Sequence, residues 1–282
     1  MKFSGSLSEA DEEKARYVLV GVPFDGNAFK KGAREGPRAI RTVSQRLETF
    51  LWDRKFELSD LYYYDSGDIP LEQFTRGESA RIEECNLEKK KIFIGGDHSI
   101  SYPIVKYLFE HGEVDKVITI DAHADFRDSY KNNRISNACV MRRIAELIGF
   151  ENVVEIGIRS SSEEEYVVFK DKIRLYDAAL LKEKGLNGLL GTIGDGTEKT
   201  YLSIDIDVLD PGIAPGVEHP EPCGMSLEDL IALIRGLLAT KNVVASDLVE
   251  VNPRFDNASG ITSLNAARII FELLACYGTG DR

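Results

Sequence analysis

The chain has 282 residues and is 43% hydrophobic, so it can bury a sizeable core and lacks the composition of a disordered protein. Its 35 basic and 47 acidic residues give a formal charge of −12 without any basic block, so we expect no nucleic-acid partner. The longest apolar runs are strand-length, far below the roughly 20 residues that span a bilayer, so we expect no membrane partner.

Short β-rich runs alternate with helical patterns along the chain. The predicted strands are Tyr17–Val22, Leu61–Tyr64, Lys91–Ile94, Val117–Ile120, Val153–Ile158, Ile173–Tyr176, Tyr201–Ile206 and Val243–Val249. Predicted helices lie at Ser99–His111, Asn137–Ile148, Ser226–Thr240 and Ser259–Tyr277, with Gly- and Pro-rich loops at Gly32–Pro37 and Pro211–Gly224. This alternation predicts an α/β fold, with a mostly parallel sheet between helices on both faces, in one domain over residues 1–282.

The cysteines and the N-terminus indicate a cytoplasmic protein. Cys85, Cys139, Cys223 and Cys276 form no CxxC pair, so we interpret them as reduced thiols. The first residues contain no apolar signal region.

Polar side chains follow two of the predicted strands, where ligands bind in open α/β sheets. His98 follows the strand Lys91–Ile94 after a glycine pair, either as a ligand or as a hydrogen-bonded structural histidine. Asp121, His123 and Asp125 follow the strand Val117–Ile120 at a spacing that puts them on one side of an extended segment. A bound cation would balance these charges, and the alternative is a solvated acidic turn.

A third cluster lies in the predicted strand Tyr201–Ile206 and just beyond it. Asp205 and Asp207 share one side, although aspartate is disfavoured in strands, which favours metal ligation. Asp210, before Pro211, is interpreted as a turn residue. Six oxygen-rich candidate ligands suit two metals better than one, and manganese better than zinc. Two such metals can convert a shared water to hydroxide near neutral pH.

Glu250 ends the last predicted strand. A carboxylate that faces a binuclear site can bind a planar cation through both oxygens, so Glu250 is a candidate for substrate binding and catalysis. The alternative is a structural glutamate in an ion pair.

Four motifs in order resemble the ureohydrolases, the family of agmatinase and arginase. They are GGDHS at 95–99, DAHADFRD at 121–128, SIDIDVLDPGIAPG at 203–216 and DLVEVNP at 247–253, and the likeness runs from about Tyr17 to Leu274. Ile156–Arg159 also resembles the family pattern beside the substrate loop. The resemblance implies a three-layer α/β/α fold with an eight-stranded, mostly parallel sheet, and a homotrimer or homohexamer.

The resemblance also implies a cofactor of two Mn²⁺ ions per chain and a role for each ligand. One ion would be held by His98, Asp121, Asp125 and Asp205, and the other by Asp121, His123, Asp205 and Asp207, so that Asp121 and Asp205 bridge. Asp125 would count among the catalytic residues. Glu250 would hold the guanidinium of a small cationic substrate.

Within this family the chain looks closer to agmatinases, because the loop by which arginases recognise an α-carboxylate is missing. Asn137 stands where the family has a histidine that is thought to shuttle protons or position substrate, and an amide exchanges no protons near neutral pH. Glu218, His219 and Cys223 replace three small residues of the family. His219 either replaces the missing shuttle or is a loop residue without a role.

We therefore predict a manganese-dependent hydrolase that converts agmatine to putrescine and urea. Glu218 and Glu221, in a loop poor in basic residues, would suit an amine-bearing tail. The alternatives are a relative that acts on arginine or a guanidino acid, a zinc deacetylase, and a metal-binding member without catalysis. A basic residue in the pocket would favour a guanidino acid.

Overall fold

The computed structural model describes residues 1–69, 89–193 and 196–280, which contain ten strands and seven α-helices. The strands are β1 (Tyr17–Gly21), β2 (Phe50–Leu51), β3 (Phe56–Glu57), β4 (Tyr63–Asp68), β5 (Lys90–Ile94), β6 (Lys116–Ile120), β7 (Val153–Ile156), β8 (Arg174–Tyr176), β9 (Lys199–Asp205) and β10 (Asn242–Val249). The helices are α1 (Gly36–Ser44), α2 (Ser101–Glu110), α3 (Val140–Ile148), α4 (Glu163–Phe169), α5 (Ala178–Leu190), α6 (Leu227–Thr240) and α7 (Ile261–Gly280).

Eight of the strands form one sheet in the order β4-β1-β5-β10-β9-β6-β7-β8. Every pair of neighbours in it is parallel, so all eight strands end at the same edge. Strands β2 and β3 form a separate two-residue antiparallel pair. Each predicted strand corresponds to a strand of the main sheet, which confirms the predicted parallel α/β arrangement.

Helices cover both faces of the sheet. One apolar cluster joins one face to α1, α5, α6 and α7, through residues such as Ile40, Leu189, Leu233 and Ile270. The second cluster joins the other face to α2, α3 and α4. The strands are nearly continuous apolar runs because both faces are buried, and the result is the predicted three-layer α/β/α fold.

The structure differs from the sequence prediction at three helices and several boundaries. The predicted loop Gly32–Pro37 is wrong at its end, because α1 begins at Gly36 and proline is tolerated in the first turn of a helix. Helices α4 and α5 were not predicted; α4 is short but has a capping box between Ser162 and Glu165. Strand β7 stops at Ile156 because Gly157 has a φ of +96°.

Two further predictions concern cysteines and membrane segments. Cys139, Cys223 and Cys276 form no disulfide among the described residues, whereas Cys85 lies outside them. Among the helices of the described residues, none combines the length and the apolar character needed to cross a membrane.

Candidate metal centre and substrate cavity

The candidate residues lie where neighbouring strands of the sheet end. Strands β5, β10, β9 and β6 are consecutive in the sheet. His98 follows β5, Glu250 follows β10, Asp205 ends β9 and Asp121 follows β6. Because parallel strands end at one edge, four segments that are distant in sequence deliver their polar side chains to one place.

The first group of possible metal ligands is His98, Asp121 and Asp125. Nδ1 of His98 lies 3.1 Å from Oδ2 of Asp121 and 3.1 Å from Oδ2 of Asp125. It also lies 3.4 Å from Oδ2 of Asp205. The imidazole of His98 is fully buried, and its Nε2 faces the hydroxyl of Ser203 at 3.0 Å. The nitrogen that remains for a cation is therefore Nδ1.

The second group is Asp121, His123 and Asp207, so Asp121 belongs to both groups. Nδ1 of His123 lies 2.9 Å from Oδ2 of Asp207 and 3.9 Å from Oδ1 of Asp121. The prediction that Asp207 shares a strand face with Asp205 is wrong, because β9 ends at Asp205 and residues 206–208 form a 3₁₀ turn. Oδ1 of Asp205 accepts from the backbone of Asp207 at 2.9 Å, and this turn brings Asp207 to His123.

These residues fit a bound cation. Nδ1 of His98 and Oδ2 of Asp121 are buried and 3.1 Å apart, yet neither has a hydrogen-bond partner. Burial and the charge of Asp207 raise the pKa of Asp121 to about 7, and burial and the same neighbour raise the pKa of Asp205 well above its usual range. Carboxylates buried this close together need a compensating positive charge. A metal ion bound by these carboxylate and imidazole groups would supply it.

Two of the candidate residues have unusual backbone conformations. Asp125 has a φ of +51° and Glu250 a φ of +66°, in the left-handed region that residues other than glycine seldom adopt. Glu250 is held there because its backbone N–H donates to the carbonyl of Gly96 at 2.8 Å. Such strain is concentrated at functional sites, where the surrounding structure fixes the side chain in one direction.

Glu250 is a buried carboxylate with one free oxygen. Its Oε1 accepts from the backbone N–H of His98 at 2.8 Å and from Nδ2 of Asn137 at 3.2 Å. Its Oε2 is buried without a partner, although the residue lines the cavity described below. Burial, together with the charges of Asp97 and Glu218, raises the pKa of Glu250 well above its usual range. A cationic donor at Oε2 would satisfy both the lone pair and the charge.

Asn137, Glu218 and His219 form one hydrogen-bonded unit beside Glu250. Nδ2 of Asn137 lies 3.4 Å from Oε2 of Glu218, and Nε2 of His219 lies 3.2 Å from Oε1 of Glu218. The backbone N–H of Lys30 also donates to Oε1 of Glu218, at 2.7 Å. Both oxygens of Glu218 are thus engaged within the protein, whereas the side chain of His219 is 45% exposed.

A cavity of about 420 Å³ joins these groups. It is lined by His123, Asp125, Asn137, Asp205, Asp207, Glu218, His219, Glu221 and Glu250, among others. Arg127, Tyr130, the three serines 160–162 and Glu165 also line it, and sequence reasoning missed them. Their position in the sequence could have indicated some of them, because Arg127 follows Asp125 closely and the serines come directly after the Ile156–Arg159 motif.

Comparison with known proteins settles the family. A family model described as the arginase family matches residues 15–276. The chain belongs to the arginase family. Agmatinase of Pyrococcus horikoshii is 33% identical over 280 residues, which cover 96% of this chain and 95% of that protein. Agmatinase of Bacillus subtilis is 35% identical over 286 residues, with 96% of each covered.

Solved structures of the arginase family share the fold. Agmatine ureohydrolase of Thermoplasma volcanium matches with a TM-score of 0.85 at 30% identity, covering 99% of this chain and 95% of that one. Formiminoglutamase of Trypanosoma cruzi, solved with Mn²⁺, matches with a TM-score of 0.83 at 25% identity, covering 95% of each. The chain is an agmatinase-like hydrolase of guanidino C–N bonds.

Proposed function

We propose that this chain hydrolyses agmatine to putrescine and urea at a centre for two manganese ions. The observation that carries the proposal is Glu250, which lines the same cavity as His123, Asp125, Asp205 and Asp207 and has a buried Oε2 without a hydrogen-bond partner. Oε1 is already held by the backbone of His98 and by Asn137, so a guanidinium N–H group would donate to Oε2 in a charge-assisted hydrogen bond. The names of the agmatinase relatives support the same substrate.

The proposed metal ligands are His98, Asp121, Asp125 and Asp205 for one ion and Asp121, His123, Asp205 and Asp207 for the other. Asp121 lies in both ligand groups of the structure, and Asp205 contacts His98, which supports a bridging role for the two carboxylates. Four aspartates and two histidines form a hard, oxygen-rich set that suits manganese. When bound, the ions supply Lewis-acid chemistry that makes water a nucleophile near neutral pH.

The protein's own residues orient the substrate. Glu250 holds the guanidinium, and Asn137 and the backbone of His98 hold Glu250. Water adds to the guanidinium carbon, the bond to the tail nitrogen breaks, and the departing amine takes up a proton. His219 lines the cavity beside Glu218 and is our proposed source of that proton. Asp125 completes the catalytic set as a ligand at the cavity wall.

A guanidino acid is the second candidate substrate, and Arg127 in the cavity wall is the observation that favours it. The guanidinium of Arg127 already faces Oε2 of Glu165 at 3.6 Å, so its charge is partly offset. Glu221 lines the same cavity with a side chain that is 34% exposed. These charges favour an amine over a carboxylate at the end of the tail.

The deciding experiment is an assay of urea release from agmatine, arginine and a series of guanidino acids, with added manganese. Agmatine should be turned over with the highest kcat/KM. Higher kcat/KM for a guanidino acid would assign the substrate to the second candidate. If no compound yields urea although two metals are bound, the chain is a family member without catalysis.

We also propose that the chain is one domain, assembles as a homotrimer or homohexamer, and serves polyamine biosynthesis in the cytoplasm.

A further inference from the structure

Arg159 donates hydrogen bonds to five backbone carbonyls of two separate segments. In the first segment, it reaches the carbonyls of Asp207 at 2.9 Å, Val208 at 3.1 Å and Leu209 at 3.4 Å. In the second, it reaches those of Glu221 at 2.8 Å and Pro222 at 3.0 Å. Arg159 forms no ion pair with a carboxylate of the described residues, so carbonyl oxygens are what its guanidinium binds.

The backbone around Arg159 is fixed to a third segment. The N–H groups of Arg159 and Ser160 both donate to the carbonyl of Ala122, at 2.9 and 3.0 Å. The N–H group of Ala124 donates to the carbonyl of Ser160 at 3.1 Å. At Gly157, a Cβ would lie 2.9 Å from a methyl of Val208 and 3.0 Å from the carbonyl of Asp121. The chain after β7 is therefore packed directly against the segments that carry Asp121, His123 and Asp207.

The two segments that Arg159 joins have different roles. Residues 206–209 place Asp207 beside His123, in the second ligand group. Residues 218–222 include four that line the cavity, Glu218, His219, Pro220 and Glu221, and we call this segment the 218–222 wall. Arg159 itself does not line that cavity. A planar guanidinium with five N–H donors can span two carbonyl-bearing segments, whereas an ammonium offers three donors from one point.

We infer that Arg159 is a positioning residue that fastens the 206–209 turn to the 218–222 wall. It thereby sets the affinity of the second ligand group for its cation and holds His219 and Glu221 over the cavity. The first group, His98, Asp121 and Asp125, is not bound by its side chain and should be affected less. The effect on cation affinity rests on the proposed metal centre. The effect on the position of His219 and Glu221 depends on the protein alone.

The test compares Arg159→Gln and Arg159→Lys with the wild-type chain and with a control, Arg174→Gln, an exposed residue on β8. Manganese binding is followed by titration calorimetry and elemental analysis. In Arg159→Gln, the second equivalent of manganese should bind at least about tenfold more weakly, while the affinity for the first equivalent changes little. A loss of this size is typical when a group that orients a metal ligand is removed. Arg159→Lys should be intermediate, and KM should rise more than kcat falls.

A second measurement uses metal-free protein and glutamyl endopeptidase, which can cut after Glu218 when the wall opens. Loss of the guanidinium should speed this cleavage at least about fivefold, because local opening no longer breaks those hydrogen bonds. Unchanged cleavage and unchanged metal affinity in Arg159→Gln would overturn the inference. Equal weakening of both metals with a lower Tm would also overturn it, since that is a general structural role. If the wild-type chain binds fewer than two metals, the proposed centre fails, and the cleavage rates alone decide the role of Arg159.

Discussion

The side-chain amide of Asn137 donates to Oε1 of Glu250 at 3.2 Å, and Oε2 of the same carboxylate has no partner. A neutral donor fixes the orientation of the carboxylate without neutralising its charge. The opposite oxygen, Oε2, therefore remains an acceptor without a partner. This arrangement is what the binding of a guanidinium requires, and it directs the first prediction to Glu250.

Replacing Glu250 with glutamine should keep the shape of the side chain and remove its charge. A misplacement of about 1 Å can cost on the order of 100-fold in rate, so we expect kcat/KM for agmatine to fall at least about tenfold. Both metals should remain bound, because Glu250 is in neither ligand group. Steady-state kinetics and elemental analysis test this, with the exposed Glu151→Gln as the matched control. Near-normal turnover would make Glu250 a structural residue.

His219 should matter for kcat if it protonates the departing amine. A positioned acid contributes roughly 10²–10⁴-fold, so His219→Asn should lower kcat by at least about tenfold and leave the metal content unchanged. Asn137→His should add little alone but partly restore kcat in the His219 variant, because its side chain lies between Glu218 and Glu250. Unchanged kcat in His219→Asn would refute this role. The proton would then come from another group in the cavity.

The sequence predicted the sheet and the main polar clusters because both depend on local patterns. Long apolar runs predict buried strands, and an aspartate or histidine directly after such a run is costly to bury unless a cation or a hydrogen bond compensates it. The residues after Lys91–Ile94 and Val117–Ile120 accordingly converge at one edge of the sheet. Helices α4 and α5 were missed because α4 has only seven residues and α5 is interrupted at Gly185, where φ is +65°.

Contacts between distant loops could not be predicted. Nothing local to Glu218 indicates that the backbone of Lys30 and the amide of Asn137 bind its two oxygens. Likewise, the placement of Arg127 against Glu165 follows from how the chain after β6 packs on α4. Such pairs are separated by tens of residues, so only the folded structure shows which charges are free for a substrate and which are already used.

Asp25 should stabilise the fold in a pH-dependent way. Burial acts to raise the pKa of Asp25, but hydrogen bonds from Arg34 at 2.6 Å and the backbone of Gly32 at 2.8 Å outweigh it and hold the pKa below the usual 3.8. Because the folded pKa is the lower one, the stabilisation is present above the unfolded value of about 3.9 and is lost as pH falls through the folded pKa.

Asp25→Asn should therefore lower the free energy of unfolding by about 1.5–3 kcal/mol near neutral pH, the range for hydrogen bonds to a charged group. The difference from wild type should shrink as the pH falls below about 3.9. Urea unfolding of both metal-free proteins across this pH range measures it. A difference that stays constant with pH would show that the charge of Asp25 contributes nothing.

Asp205→Ala should remove metal and activity together. If Asp205 bridges, its loss takes a ligand from both ions and leaves the charges of the remaining carboxylates unbalanced. Wild-type protein should hold two manganese ions per chain at saturation, and the variant at most one. Elemental analysis after dialysis, with urea release measured on the same samples, checks both effects, and the exposed Asp171→Asn is the control. A wild-type chain with no more than one metal would end the binuclear proposal. A variant that keeps two metals would show that Asp121 alone joins the two ligand groups, as the distances around His98 and His123 already allow.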